Sequence, residues 1–150
     1  MTTTATIAQL EGMVGSDLGA SDYLEISQER IDGFADATGD HQWIHVDPVR
    51  AADGPFGAPI AHGFLTLSLV IPLWTDLLEV TDATTKVNYG LDKVRFVSPV
   101  TVGSRVRLLA TIATVTPIEG GVQLGVDQVM EIEGGGKPAL AAHSLYRFYA

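Results

Sequence analysis

The spacing of apolar residues divides the chain into a first half with helical periodicity and a second half with the two-residue periodicity of strands. Residues 22–26 (DYLEI) predict a short strand, after which Ser27 predicts the N-cap of a helix that ends at Gly39. An Asp-Pro pair at 47–48 opens a second, short helix that stops near residues 53–54. The first third of the chain is therefore expected to hold one short strand and two helices.

The apolar run from residue 64 to 80 predicts a helix that is apolar on nearly every side and must be surrounded by protein. Its length approaches that of a membrane span, but polar residues and a proline interrupt it, so we expect a buried helix. From Lys86 onward apolar and polar residues alternate, as in antiparallel strands with one buried face. Turn signals separate four strands of about ten residues each. These signals lie at 98–99, 116–121 and 134–136.

One enclosed helix followed by four long strands indicates an α+β protein with the hotdog fold, in which a curved antiparallel sheet wraps around a central helix. We expect residues 1–150 to form a single domain, with residues 1–20 as a short lead-in segment, because the length suits one core and no repeat is visible. Long strand edges are usually covered by another copy, so we also expect a homodimer with a continuous sheet.

Composition narrows the classes of partner. The formal charge is -9 with only nine Lys and Arg residues, which argues against nucleic acid as a ligand. The chain has no cysteine, which removes disulfides and thiolate chemistry and is compatible with the cytoplasm, the location we expect. The N-terminal residues show neither a basic segment nor a long apolar run, so we expect no signal peptide.

The residues with chemical potential are concentrated in the loop DHQWIHV, residues 40–46. Asp40 and His45 are five residues apart, a spacing that lets a loop aim both side chains at one water molecule. Hydration of an activated double bond needs a base, an acid and donors that stabilise the enolate oxygen. Asp40 and His45 can fill the first two roles. The backbone N–H of Gly63, at the start of the apolar helix, can supply the third, with His62 structural for the site.

The other titratable residues nearby are assigned to structure. We expect His41 to face solvent, Asp47 to cap the short helix and His143 to be a satisfied residue of a strand. Two His and two Asp within eight residues do not form a neat tetrahedral set, so we predict no metal and no cofactor. The absence of a G-x-S-x-G segment leaves serine hydrolysis unsupported.

The loop resembles that of the MaoC-like hydratases, which has the form Asp-x-Asn-Pro-x-His-x-Asp and is followed by Ile-x-His-Gly and an apolar helix. The matching runs here are DHQWIHVD at 40–47 and IAHG at 60–63. The segment VRFVSPVTVGSRVR at 94–107 also resembles the family's Phe-x-x-Pro-Val-x-x-Gly strand pair. The resemblance thus covers most of the chain and implies an (R)-specific enoyl-CoA hydratase, a hydro-lyase that makes (R)-3-hydroxyacyl-CoA.

By this resemblance the catalytic dyad is Asp40 and His45, and the oxyanion donor is the amide of Gly63. Gln42 stands where the family has Asn and Trp43 where it has Pro. We expect the amide of Gln42 to pin the loop backbone and Trp43 to shape the acyl entrance. At the start of a strand, Asn88 either borders the acyl tunnel or has a plain packing role.

The coenzyme's phosphates would need cations, and Lys93 and Arg95 are candidates because alternation places them on the same side of a strand. A solvated strand face with weak ion pairs explains the same residues equally well. Both interpretations stay open at the level of the sequence.

Three other functions also stay open. A 3-hydroxyacyl dehydratase acting on acyl carrier protein would use the same residues in the reverse direction. An acyl-CoA thioesterase would use an acidic residue on the central helix, where Asp76 and Glu79 are the candidates. A non-catalytic acyl-binding subunit is supported only by the departures at Gln42 and Trp43. The position of Asp40 and His45 before the helix favours hydration.

Overall fold

The computed structural model describes residues 1–150, which form five α-helices, one 3-10 helix and eight strands. The helices are α1 (Gln28–Thr38), α2 (Trp43–Val46), α3 (Pro48–Ala52), α4 (Gly63–Ser68) and α5 (Val70–Leu77), and the 3-10 helix spans Ile7–Met13. The strands are β1 (Thr3–Ala5), β2 (Asp17–Ala20), β3 (Leu24–Glu25), β4 (Leu78–Val80), β5 (Thr85–Phe96), β6 (Arg105–Ile118), β7 (Gly121–Ile132) and β8 (Leu140–Tyr149).

The four long strands and the short β2 and β3 make one six-stranded antiparallel sheet. Its order is β2-β6-β7-β8-β5, and β3 pairs with β6. Alternate residues of β6 and β8 are buried, as the two-residue period predicts, because one face of the sheet packs against the helices. The predicted α+β class, with a curved antiparallel sheet around a central helical layer, is confirmed. β1 and β4 form a separate parallel pair.

The apolar run at 64–80 differs from the single predicted helix. It folds as α4 and α5, and its last residues form β4. Pro72 has no N–H to donate to the carbonyl of Ser68, and its ring crowds that carbonyl, so the helix is interrupted where the two segments meet at Leu69. The side chains that face the sheet are buried, so this part of the prediction is confirmed. They are Leu65, Leu69, Val70, Leu73, Trp74 and Leu77.

The segment 1–20 is more than the expected lead-in. It contributes β1, the 3-10 helix and β2, and Leu10 is fully buried in the main core. Ala5 and Leu18 join the same core. The sequence pattern missed these elements because only a few apolar residues, without a clear period, carry them.

β5 is an edge strand of the main sheet. It pairs with β8 on one side only, so the backbone groups along its other side have no partner strand. Val87, Tyr89 and Leu91 on this strand are exposed apolar side chains. An edge of twelve residues with exposed apolar groups has the properties of a self-association surface.

None of the helices has the length and apolar character of a membrane span.

Candidate active site

The predicted loop between the first two helices folds around a one-turn helix. α1 ends at Gly39, whose φ of 83° suits glycine, and Asp40 follows directly. α2 carries His45, and Asp47 then caps α3 by accepting a hydrogen bond from the N–H of Arg50, as expected. Two closely spaced helix boundaries thus bring the ends of the loop together on one side of the protein.

The side chain of His45 is buried and has a fixed tautomer. Its Nδ1 lies 2.7 Å from the carbonyl oxygen of Ile60, and because a carbonyl can only accept, Nδ1 carries the proton. The unprotonated Nε2 is therefore free to accept. The backbone of His45 is held as well, since the side-chain amide of Gln28 donates to its carbonyl over 2.8 Å.

His62 connects the two sequence-predicted residues. Its Nε2–H donates to the backbone carbonyl of Asp40 over 2.9 Å. Its ring stacks on that of His45 with centroids 3.9 Å apart and an interplanar angle of 23°. The other nitrogen, Nδ1, is buried without a hydrogen-bond partner. The sequence pattern indicated a structural role for His62 but not this double contact.

Asp40, His45 and His62 form one cluster. One carboxylate oxygen and one nitrogen of each ring lie within 4.8 Å of one another, with Asp40 exposed and both histidines buried. A single water molecule can bridge acceptors at such a separation. The same three groups are also near enough to share a cation. The two histidine rings are nearly parallel, however, so their nitrogen lone pairs lie in parallel planes and do not converge on one point. A tetrahedral metal site would require one ring to turn.

Gly63 follows this cluster at the start of α4. Its backbone N–H has no acceptor within the protein. A Cβ on this residue would lie 3.2 Å from the ring of Phe96, so the close approach of the aromatic ring explains the glycine. Gly63 also lines a cavity of about 270 Å³ together with Phe96 and Thr66. A free donor thus borders an open space beside the cluster.

Two expectations about the loop are corrected by the contacts. The side-chain amide of Gln42 makes no hydrogen bond, and the loop is pinned by Gln28 instead. Trp43 packs against the turn after α3, where a Cβ on Gly54 would lie 2.8 Å from its ring, and the guanidinium of Arg50 lies 4.3 Å above that ring. Both contacts are consistent with a packing role for Trp43 rather than an acyl entrance.

Asn88 faces the helical layer. It lines two adjoining cavities of about 140 Å³ each, which share Ile71 and Tyr146 and lie between α5 and the strands β5 and β8. Leu67, Leu91 and Trp74 make much of the remaining wall apolar. Asn88 therefore lines a pair of cavities next to α5, and its contact with an acyl chain stays a prediction.

A buried polar group forms the floor of these cavities. The hydroxyl of Ser144 and the amide of Gln128 hydrogen bond over 2.6 Å, and the same amide donates to the hydroxyl of Tyr146 over 2.9 Å. Burial raises the pKa of Tyr146, so its hydroxyl stays protonated. Trp74 stacks on the Tyr146 ring with centroids 5.0 Å apart.

Lys93 and Arg95 do share one side of β5, as predicted, but that side is the outer face of the sheet. They pair with His143 and Ala141, whereas the neighbouring pair of Phe96 and buried Leu140 faces the helices. A phosphate contact from these cations to a substrate at the cluster of the same chain has no support in this geometry.

The remaining assignments can be compared with their contacts. His41 is exposed and bonds to Asp36 over 3.0 Å, and His143 bonds to Asp127 over 2.7 Å, so both have the structural environments that were predicted. Asp76 and Glu79, the thioesterase candidates, are exposed and line none of the three cavities described above.

Comparison with known proteins gives the family. Residues 9–132 match the family model described as MaoC like domain. The chain is 49% identical over 151 residues to 3-hydroxyacyl-thioester dehydratase Z of Mycobacterium tuberculosis, with all of both chains covered. It is 44% identical over 142 residues to nodulation protein N of Rhizobium leguminosarum, covering 92% of this chain and 88% of that protein.

The fold is also found among solved structures. R-hydratase PhaJ1 from Pseudomonas aeruginosa superposes with a TM-score of 0.77 at 21% identity, covering 96% of this chain and 85% of that one. The chain belongs to the MaoC-like family, and it is an enzyme of the hydro-lyase class.

Proposed function

We propose that this protein is an (R)-specific enoyl-CoA hydratase, which adds water reversibly to trans-2-enoyl-CoA with Asp40 and His45 as the catalytic dyad. The observation that carries the proposal is the cluster itself. An accessible carboxylate and a buried imidazole of fixed tautomer lie close enough to hold one water molecule. Next to them, the free N–H of Gly63 borders a cavity.

The chemistry follows from these groups. Nε2 of His45 accepts a proton from the water that Asp40 also holds, and the water oxygen bonds to C3 of the enoyl group. The electron pair of the double bond moves to the thioester oxygen, where the Gly63 N–H stabilises the enolate. The proton held by the dyad then goes to C2. Because one water supplies both groups from one side, addition is syn.

The acyl chain of the substrate can be accommodated in the cavities between α5 and β5. The cavities along α5 and β5 are mainly apolar and lie on the helical side of the sheet, the same side as Gly63 and Phe96. An alkyl chain extending from the thioester gains free energy by burial against such walls. The residues around Asn88 and Ile71 would therefore determine which acyl chains are accepted.

The reverse reaction, dehydration of a 3-hydroxyacyl thioester, uses the same groups by microscopic reversibility. The Mycobacterium tuberculosis relative is named for that direction. Which carrier, CoA or acyl carrier protein, presents the acyl group depends on the surface around the site. Thioesterase activity has weaker support, because Asp76 and Glu79 lie outside the cavity that adjoins Gly63.

We also propose that the active form is a homodimer joined along β5. The strand offers an unpaired edge of twelve residues, and Val87, Tyr89 and Leu91 expose apolar surface along it. Phe64 on α4 and Phe96 at the end of β5 are exposed as well and pack edge to face. Pairing of two such edges would satisfy the backbone groups and cover this apolar surface.

The proposal is tested by incubating purified protein with trans-2-enoyl-CoA thioesters of increasing chain length while following enoyl absorbance and free thiol. The expected result is loss of absorbance without thiol release, and a product that chiral analysis identifies as (R)-3-hydroxyacyl-CoA. Thiol release with an unchanged enoyl group would replace the hydratase by a thioesterase. Binding without any turnover would point to the acyl-binding subunit.

A further inference from the structure

The environment of His62 is unusual for a buried polar residue. The side chain is only 3% exposed, yet one of its two nitrogens has no partner. The other nitrogen donates to the carbonyl of Asp40, and the ring lies between the ring of His45 and that of Phe34, which is 4.9 Å away. His62 thus contacts both members of the proposed dyad.

The unpaired Nδ1 bears on why a histidine occupies this place. A buried nitrogen without a partner destabilises the folded state, and an apolar ring of similar size would fill the same space without that cost. Packing alone therefore favours phenylalanine over histidine here. What histidine adds is the Nε2–H donor, which reaches the backbone of Asp40 while the ring face supports His45.

We propose that His62 is a positioning residue, which sets the carbonyl of Asp40 with its Nε2–H and the ring plane of His45 by stacking. This inference rests on the proposed function only for its kinetic consequence. His62 does not need to exchange a proton with the substrate, since its proton is held by a carbonyl. Its contribution is the geometry in which the dyad holds one water molecule.

Two substitutions separate the two contacts. His62→Gln keeps an N–H donor at about the same reach and loses the ring, whereas His62→Phe keeps the ring and loses the donor. We expect kcat for enoyl-CoA hydration to fall about 100-fold in His62→Phe and about tenfold in His62→Gln, with KM changed less than about threefold in both. An unchanged kcat in His62→Phe, or a loss that is confined to KM, would overturn the inference.

Stability provides the readout that a purely structural residue would not give. His62→Phe removes an unpaired buried nitrogen but also leaves the carbonyl of Asp40 without its donor, and because these two effects offset each other its Tm should stay close to that of the wild type while kcat falls. The matched control is His143→Phe, which replaces a histidine bonded to Asp127 on the outer sheet face and should leave kcat unchanged. A Tm loss in His62→Phe that accounts for its lower activity would overturn the inference.

A third measurement does not depend on hydratase activity. In ¹⁵N-histidine NMR spectra, the Nδ1–H of His45 should be protected from exchange by its hydrogen bond to the carbonyl of Ile60. If His62 holds that ring, this proton should exchange with water faster in both His62 variants than in the wild type or in His143→Phe. Unchanged protection would refute positioning even in a fully active enzyme. If the wild type does not hydrate enoyl-CoA but both His62 variants still exchange this proton faster than the wild type, the proposed function is rejected and the inference is retained.

Discussion

Gln28 and His45 are joined by a hydrogen bond of 2.8 Å, which the side-chain amide of Gln28, the first residue of α1, donates to the backbone carbonyl of His45 in α2. The same amide also donates to Asp32, one turn further along α1. The helix start therefore fixes the position of the one-turn helix that carries the proposed base. This bond takes over the pinning role that the sequence had suggested for Gln42.

Replacement of Gln28 should therefore affect both stability and catalysis. Gln28→Leu leaves the carbonyl of His45 unpaired, which should lower the free energy of unfolding by about 1 kcal/mol. We expect kcat to fall about tenfold because α2 is less firmly held. Urea denaturation and steady-state hydration kinetics measure the two effects. Gln42→Leu is the control, since Gln42 makes no side-chain hydrogen bond, and equal losses in both variants would contradict this role for Gln28.

Gly63 and Phe96 should behave as a coupled pair. A methyl group in Gly63→Ala would lie 3.2 Å from the Phe96 ring, which must shift by a few tenths of an ångström. We expect a loss of about 1 kcal/mol in stability and a fall in kcat, because the N–H donor moves with the strained backbone. Phe96→Leu combined with Gly63→Ala should recover part of both. A double-mutant cycle that shows no coupling would contradict the contact.

His41 and Asp36 predict a local pH dependence. The hydrogen bond that His41 donates to the carboxylate of Asp36 raises the pKa of His41 above its usual value of 6.5. The resulting stabilisation is present below pH 6.5 and is lost as the pH rises through the raised pKa of the folded state. An NMR titration should show this shift, and Asp36→Asn should return the pKa toward 6.5. Glu29→Gln on the same helix should leave it raised, whereas loss of the shift in both variants would deny the specific pair.

The dimer proposal predicts a mass of twice the 15.9 kDa chain by light scattering. Val87→Arg places a charge beside the open edge of β5 and should shift the protein toward the monomer. Val129→Arg is a matched control, because the two valines are 37% and 38% exposed but Val129 lies on β7, inside the sheet. Equal dissociation by both substitutions, or by neither, would argue against this edge.

Particular residues show how far the sequence could predict the structure. Alternation in β6 to β8 and the caps Ser27, Gly39 and Asp47 placed the long strands and the first helices well, because these are local signals. The break between α4 and α5 could have been predicted only if Pro72 had been taken as a stronger signal than the continuous apolar run. The core position of Leu10 depends on contacts with distant segments and leaves no periodic signal.

The candidate site was predicted in its titratable members but not in its connections. Asp40 and His45 stood out by residue type and spacing, and the structure brings them together. The hydrogen bond from Gln28 to His45 and the stacking of His62 on His45 each join residues from different segments of the chain. Spacing along the sequence cannot indicate such contacts. The outer-face position of Lys93 and Arg95 likewise depends on which face of β5 meets the helices.

Whether Asp40 and His45 together add water to an enoyl thioester is measured by the hydration of crotonyl-CoA by wild type, Asp40→Asn and His45→Gln. Asp40→Asn preserves the shape of the side chain, whereas His45→Gln keeps a polar group of similar length without the ring. Both remove the group that accepts a proton, so each should lower kcat by about 10² to 10⁴ while KM changes little. If either variant hydrates crotonyl-CoA at the wild-type rate, Asp40 and His45 are not the catalytic dyad and the account fails.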